Sequence, residues 1–375
     1  MALIRLQTEH FRNLTGDGVD FSPAFNLIHG ENGSGKSSVL EAIGYLGLGR
    51  SFRVHRHQAV CCHGEKRFTV FGALNNGATD ASDMVSTEVA HRVGFARDLA
   101  DKETLLRHNG ESVRSLSSLA RLLPVSVIDP GVFEIVGGSP GKRRQFLDWS
   151  VFHVEPSFAS LWQQCQRVTS QRNQALRDGR MDDHLLRVWD RQYGVLAEQV
   201  TEARQAAVTA FQQAFETLLE EVETPWVDGL KVDFYPGWDV KQSLVDVLVS
   251  HREQERRMGH TLYGPNRADL RLRYQGRPVA ETFSRGQQKT LVILMKIAQG
   301  MVLSGLGKQV TFLLDDINAE LDLGHRAMLA NKLHELRCQV FMTSIERPRP
   351  DELWREDSLP EYRMFHVEHG RLTEE

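Results

Sequence analysis

The segment FNLIHGENGSGKSSVLEAIGYL, beginning at Phe25, constrains the fold more than any other part of the chain. It opens with strand character from Phe25 to Ile28, crosses a glycine-rich turn, and continues with helical spacing at Val39, Leu40, Ile43 and Leu46. The turn fits G-x-x-x-x-G-K-[ST], with Gly30, Gly35, Lys36 and Ser37 at the fixed positions. Glycines there let successive backbone N–H groups turn inward, and the helix that follows adds the positive end of its dipole. A polyphosphate fits such a cradle. The candidate nucleotide-binding residues are therefore Gly30, Asn32, Gly33, Gly35, Lys36, Ser37 and Ser38. Lys36 would reach the β- and γ-phosphates, and Ser37 would sit on Mg²⁺ with Ser38 beside it as a weaker candidate.

A phosphate loop needs a partner carboxylate. Val310 to Leu314 is an apolar strand ending in Asp315-Asp316, and a rigid strand end can deliver a carboxylate beside Mg²⁺. Asp315 is read as the metal's partner and Asp316 as the group that orients or deprotonates the attacking water. In ETFSRGQQKTLVILMKIAQGMVL, Ser284, Gly286 and Gln287 stand at the opening of a strongly apolar helix. A hydroxyl, a flexible backbone and a helix N-terminus there face one spot, ready for an anion that need not be bound by the same chain.

The 375 residues suffice for two domains, or for one large domain carrying an insertion. No run of 18 apolar residues exists, which excludes a membrane-spanning helix, and MALIRLQTEHFRN does not fit a secretory signal. Cys61, Cys62, Cys165 and Cys338 form no C-x-x-C pair and suit a reducing cytoplasm, the expected location. HRHQAVCCHG gathers His55, His57, Cys61, Cys62 and His63, but without the spaced pairs of a structural zinc site it is read as a strand and turn. With a formal net charge of −4, any attraction to DNA must come from local clusters of cations.

The early part of the chain alternates short strands with the phosphate-loop helix. Thr69 to Ile128 is strand-rich, with a loop at NNGATDASD, a hairpin turning at Asn109-Gly110 and a buried strand in LLPVSVIDP stopped by Pro130. From Pro156 the pattern becomes helical: Phe158, Leu161, Trp162, Cys165 and Val168, a break near Asp178-Gly179, then a long run from Asp183 to Thr224-Pro225. Forty helical residues span ~60 Å. That length suits a projecting arm, and a helical bundle is the other reading. Strands return in RADLRLRYQGRPV, which turns at Gln275-Gly276, and in VTFLLDD, CQVFMTS and YRMFHVEHGRL. The fold class expected is α/β: a P-loop ATPase head built from residues 1–150, with a β-rich subdomain, and 261–375, with an α-helical arm at 151–260 inserted between them.

S-x-G-Q before such a helix resembles the signature of ABC-type ATPases, in which the signature of one subunit closes over the γ-phosphate held by another. The long separation of signature from phosphate loop, filled by the inserted arm, is similar to the SMC-like DNA-repair branch. LIRLQTEHFRNL, FNLIHGENGSGKSS, GRSFR, GSPGKRRQFLD, LYGPNRADL, FSRGQQK and LLDDINAELD together resemble the RecF family along essentially the whole chain. The resemblance implies ATP and Mg²⁺ at Lys36 and Ser37, Asp315 and Asp316 as the Walker B pair, and Ser284, Gly286 and Gln287 as a signature acting in trans. Asp322 would communicate across a homodimer, and the Q-loop would lie near Asp129. Three differences stand out: Asp316, which RecF proteins share, stands where ABC transporters carry Glu, Thr343 and Ser344 stand in place of a switch histidine, and Asn266 stands where a histidine is expected in the family.

The activity so implied is that of an ATP-dependent DNA-binding recombination mediator acting at single-strand gaps. An ATP-induced homodimer would clamp the single-strand/duplex junction and assist RecA loading with RecR and, indirectly, RecO, in DNA replication, repair, recombination and the SOS response. A weak, DNA-stimulated ATPase would reset it. Two clusters, Arg50, Arg53 and Arg56, and Lys142, Arg143 and Arg144, are the expected DNA contacts. Rival readings are an ATP-gated structural clamp without significant hydrolysis, an ABC transporter-type ATPase and a P-loop small-molecule kinase.

Overall fold

The computed structural model describes residues 1–16, 18–76, 88–178, 183–222 and 226–375. Most of the NNGATDASD loop, and the helix ends expected at Gly179 and Thr224-Pro225, lie outside the described residues. The chain forms two compact units, Met1–Val132 with Met295–Glu375, and Phe133–Leu294. These boundaries differ from the 150 and 260 suggested by sequence. The helix Pro140–Val154 packs with the helix Asp183–Glu221 and with the strand Asp269–Tyr274, and so joins the inserted unit.

Strands are numbered along the chain. The first unit opens with β1 (Ala2–Glu9), β2 (Val19–Asp20) and β3 (Phe25–His29), which leads through the phosphate loop into the helix Lys36–Leu48. There follow β4 (Arg67–Asn75), β5 (His91–Asp98), β6 (Thr104–His108), β7 (Glu111–Val113) and β8 (Val125–Ile128). An antiparallel sheet runs in the order β2-β1-β4-β5-β6-β7. Its strands alternate: in β4, Phe68, Val70 and Leu74 are fully buried, whereas Arg67, Thr69 and Phe71 point to the opposite face. The buried face packs on the phosphate-loop helix, where Val39, Leu40, Ile43 and Leu46 are all buried and Tyr45 meets Phe11, Phe68 and Phe95 edge-on. The hairpin between β6 and β7 turns at Asn109-Gly110 with φ of 51° and 87°, a type I′ geometry whose twist matches the strands.

The inserted unit carries β9 (Leu230–Tyr235), β10 (Asp269–Tyr274) and β11 (Arg277–Pro278) in a small antiparallel sheet, again with a left-handed turn at Gln275-Gly276. The remainder is helical. The helix Asp183–Glu221 has 39 residues, about 58 Å at ~1.5 Å each. Its apolar stripe, from Leu186 through Tyr193, Val200, Ala207 and Phe211 to Leu218, is buried along the whole length. The helices Pro140–Val154, Phe158–Arg177 and Leu244–Ser250 pack against it, so within this unit it is a spine with neighbours along its length. Arg172, fully buried, donates to Asp190 at 2.8 Å and to Glu255 at 2.6 Å, both equally buried.

The helix Arg285–Gly305 starts in the inserted unit and ends in the first, where the chain adds β12 (Thr311–Leu314), β13 (Gln339–Ser344), β14 (Tyr362–Glu368) and β15 (Arg371–Glu374). These join β3 and β8 in a second sheet of order β15-β14-β3-β13-β12-β8, parallel except for the β14–β15 hairpin. All of β12 and β13 is buried, as strands covered on both faces must be. β13 lies between β3 and β12, which places the end of the phosphate-loop strand and the Asp315-Asp316 strand end one strand apart.

The histidine- and cysteine-rich segment contains a 3-10 turn at His57–Val60 and a single bridge from Cys61 to Phe11, not the expected strand. His57 Nδ1 bonds the Tyr45 hydroxyl at 3.0 Å. Among the described residues, no cluster of three or more His, Cys, Asp or Glu is placed to hold a metal, and no helix is long and apolar enough to cross a membrane.

Candidate nucleotide-binding site

The loop after β3 is shaped by close backbone approach. Gly30 has φ 154°, and a Cβ there would lie 2.4 Å from the Val367 carbonyl oxygen, so only glycine fits. Gly35 stands at the N-cap of the helix Lys36–Leu48 without any side-chain cap, which leaves the first-turn N–H groups for an anion. Lys36 Nζ donates to the carbonyls of Gly30 at 2.7 Å and Glu31 at 2.9 Å. Burial lowers its pKa, against the opposing pull of Asp316 and Asp315. The ammonium is thus held at the mouth of the loop, within the field of both carboxylates.

Asn13 braces the loop from outside. Its Nδ2 donates to the Ser34 carbonyl at 3.2 Å, and its Oδ1 accepts from Ser38 Oγ at 3.0 Å. Ser38 is therefore committed to Asn13, and the hydroxyl placed for a metal is that of Ser37. Asn32 is exposed in the loop beside Gly33, whose φ is 81°.

Ser37 Oγ donates to Asp315 Oδ1 at 2.8 Å. Thr343 Oγ1, on the intervening β13, donates to the same Asp315 oxygen at 3.1 Å and accepts from the Asp316 N–H at 2.9 Å. One threonine hydroxyl thus ties both acidic residues to the central strand. Asp316 has φ 54° and ψ 40°, a left-handed conformation that a non-glycine residue holds at a cost and that recurs at functional sites. The hydroxyl of Ser37 and the carboxylate of Asp315 converge as Mg²⁺ requires, since that ion takes one or two protein oxygens and completes its shell with phosphate and water.

Asp129 follows β8, whose Ile128 pairs with Leu314 of β12, so the parallel register sets Asp129 beside Asp315. Burial, then the Asp315 charge, raises its pKa, and Lys296 opposes the rise. Lys296 is itself buried, which brings its pKa down to about 8.

In the inserted unit, Ser284 and Gln287 form a reciprocal capping box. Ser284 Oγ accepts from the Gln287 N–H at 3.3 Å, and Gln287 Oε1 accepts from the Ser284 N–H at 2.9 Å. A Cβ on Gly286 would meet nothing nearer than Ser284 Oγ at 4.0 Å, so internal packing does not demand glycine there. Asn266 accepts from Gln166 Nε2 at 2.7 Å. In the first unit, Asp322 caps the helix Leu323–Glu335 and accepts from His325 N and Nδ1 at 3.0 and 2.7 Å.

The two basic clusters separate. Arg50, Arg53 and Arg56 are exposed and make no ion pair among the described residues. Their loop is anchored through Ser51, which bonds the fully buried Glu41, and Glu41 also accepts both prongs of Arg12 at 2.9 and 3.0 Å. Arg143, by contrast, grips Asp269 with two bonds of 2.7 and 3.1 Å, and Arg144 donates to the Ala268 carbonyl at 2.7 Å. Lys142 pairs with Glu134 at 2.8 Å. Arg143 and Arg144 thus clamp the start of β10, and the expectation of DNA contact at these two gives way to that role, whereas Lys142 stays exposed beside Glu134. Asn13 and the Arg12–Glu41–Ser51 set were absent from the sequence-based site, and Thr343 was marked only as standing in place of a switch histidine, without this bridging role. The FRN of HFRNL and the GRSFR motif offered local hints.

Fold and site together define an ABC-type P-loop ATPase head built from both ends of the chain, with a helical insertion. The family model described as RecF/RecN/SMC N terminal domain matches residues 2–368. The "DNA replication and repair protein RecF" of Marinobacter nauticus is 71% identical over 375 residues, covering 100% of both chains. The protein of the same description from Pseudomonas aeruginosa is 40% identical, covering 100% of this chain and 98% of its own. The chain belongs to the RecF family of DNA replication and repair proteins. Among solved structures, the recombination mediator RecF-ATP in the RecFOR pathway superposes with a TM-score of 0.84 at 22% identity, covering 100% of this chain and 97% of that one. An SmcHead bound to the C-winged helix domain of ScpA does so with a TM-score of 0.56 at 15% identity, covering 100% and 97%. At these identities the two share a fold with this chain.

Proposed function

We propose that the chain is an ATP-dependent, DNA-binding recombination mediator of the cytoplasm that acts at single-strand gaps. The observation that carries the reading is the Ser37–Asp315 hydrogen bond beside an uncapped helix N-terminus and Lys36. ATP lies along the loop from Gly30 to Ser37, with Lys36 neutralising its terminal phosphates. Ser37 and Asp315 would hold Mg²⁺, which would supply charge neutralisation to the phosphates. Asp316 orients the attacking water, and its short side chain suits slow turnover. The signature residues Ser284, Gly286 and Gln287 of a second copy close over the γ-phosphate, so ATP drives homodimerisation and hydrolysis releases it.

The dimer clamps gapped DNA at the single-strand/duplex junction through exposed cations, with Arg50, Arg53 and Arg56 the best placed. The solved RecF relative is a recombination mediator of the RecFOR pathway, which supports RecR and RecO as partners; in this reading RecR is met directly, and RecO and RecA indirectly. The functional division into an ATPase head and an inserted helical arm belongs to the same proposal.

Sizing the protein with ADP, with ATP and with gapped duplex tests the core of this reading. ATP-specific dimers stabilised by gapped DNA are expected; a monomer under every condition sinks it. Steady-state ATPase with and without gapped DNA separates a hydrolysing mediator from a structural clamp.

A further inference from the structure

The antiparallel sheet has a second face that the core does not use. Because strand side chains alternate, the burial of Phe68, Val70, Val93, Phe95 and Leu106 leaves their neighbours on the opposite side. The cross-strand register gathers them: Phe71 lies opposite Gly94, and Gly94 opposite Arg107, with Leu105 beside Ala96 two pairs further along and so on the same face. The missing side chain at Gly94 and the small one at Ala96 leave a hollow of about 420 Å³. Phe71 and Leu105, both half-buried, line it, and Arg67, Arg92 and Arg107 stand around it, all exposed.

The charges decide what such a face suits. None of these three arginines makes an ion pair among the described residues, although the protein as a whole carries a net charge of −4. One carboxylate, Glu9, shares the rim. Asp98, cross-strand from Arg67 at the end of β5, turns Oδ1 to the Ala100 and Asp101 N–H groups and forms no ion pair with Arg67. A hollow floored by an aromatic ring and rimmed by guanidinium groups complements a flat base attached to phosphates. Stacking on a sheet-borne aromatic with arginines on the backbone is how single strands are held without sequence preference. Duplex DNA, whose bases are already stacked, has nothing to offer Phe71.

We propose that this outer face, centred on Phe71 and rimmed by Arg67, Arg92 and Arg107, is a binding platform for single-stranded nucleic acid. A base stacks on Phe71 over Gly94, and the flanking phosphates lie against Arg92 and Arg107. The inference rests on the proposed action at gapped DNA and assigns the single-stranded part of that substrate to a surface.

The test uses the full chain with ATP and Mg²⁺ and follows anisotropy of a labelled oligothymidylate and, separately, of a labelled duplex. Phe71→Ala is expected to weaken single-strand binding at least about fivefold and leave duplex binding unchanged, with Phe71→Trp restoring it. The double variant Arg92→Ala/Arg107→Ala is expected to flatten the log-log salt dependence of single-strand binding by about 0.7 for each phosphate that is no longer neutralised. Circular dichroism and ATP binding should match the parent, because none of these residues enters the core or the nucleotide site. Variants that hold the oligothymidylate like the parent overturn the platform alone. Unaltered oligothymidylate binding together with lost RecR binding overturns it in favour of a protein-docking face. A parent protein that binds neither probe overturns both the platform and the DNA-binding reading.

Discussion

Ser37 and Asp315, 278 positions apart in the chain, share a hydrogen bond of 2.8 Å across the end of the parallel sheet. If that pair holds Mg²⁺, Asp315→Asn should keep the hydrogen bond, since an amide oxygen still accepts from the serine, and lose the metal. Magnesium-dependent ATP affinity is expected to drop at least about tenfold, the loss of roughly one charge-assisted interaction of about 1.5–3 kcal/mol, with the melting temperature unchanged. Titration of ATP with and without Mg²⁺ by calorimetry checks it. Equal loss in both conditions would move the role of Asp315 away from the metal.

Thr343 tests the coupling between the acids. Its hydroxyl joins Asp315 to the Asp316 amide, so Thr343→Val preserves shape while leaving that N–H without its acceptor and the Asp315 carboxylate less fixed. Turnover is expected to fall about tenfold, about 1.4 kcal/mol of barrier, with little change in ATP affinity, and Thr343→Ser should restore most of it. Comparing kcat with nucleotide Kd distinguishes this from a structural defect, which would lower both.

Why the bridging role of Thr343 could not be read from the sequence while that of Lys36 could is a matter of locality. The phosphate loop, the capping box at Ser284 and the turns at Asn109-Gly110 and Gln275-Gly276 are each written in contiguous residues whose backbone needs are met on the spot. Thr343 matters because β13 lies between β3 and β12, an order that no stretch of sequence states. Asn13 likewise acts on Ser34, 21 positions away. The same blindness misleads in the other direction at Arg143-Arg144, which looks like a surface patch until β10 brings Asp269 to Arg143 from 126 positions away. The long helix is legible from its period, but its packing neighbours are not, because periodicity reports one buried stripe without naming what covers it.

Lys296 makes stability depend on pH. Burial holds its pKa down to about 8 from an ordinary 10.5. Between those values the unfolded chain binds a proton that the folded chain has released, so unfolding free energy rises with pH across that window. Below pH 8 both states hold the proton and the penalty for the buried charge is complete. Denaturant titrations at about pH 8 and about pH 10 should show a rise on the order of 2 kcal/mol in the parent that is missing in Lys296→Met. Parallel curves for the two proteins would show that the lysine reaches water.

Arg172 carries two carboxylates at zero exposure, Asp190 and Glu255. Removing the cation strands Glu255 without a cation, while Asp190 keeps Arg252 at 2.8 Å, and Arg172→Met is expected to cost about 3 kcal/mol. Because the network lies within the inserted unit, ATP binding at low temperature should survive while a thermal transition moves down. Loss of ATP binding in step with that transition would show that the two units unfold as one.

Ser284 separates two roles that coincide in one side chain. As the N-cap of the helix Arg285–Gly305 it accepts from the Gln287 amide, and losing that bond in Ser284→Ala should cost about 1 kcal/mol. As a signature residue its hydroxyl would turn to the γ-phosphate held by a second copy. Ser284→Asp keeps a good cap and places a negative charge where that phosphate would arrive, so it should preserve stability and ATP binding while abolishing the ATP-dependent dimer. Ser284→Arg should also keep nucleotide and lose the dimer, by bulk. Light scattering with ATP reads the outcome directly, and a Ser284→Asp protein that dimerises like the parent would confine this serine to capping its own helix.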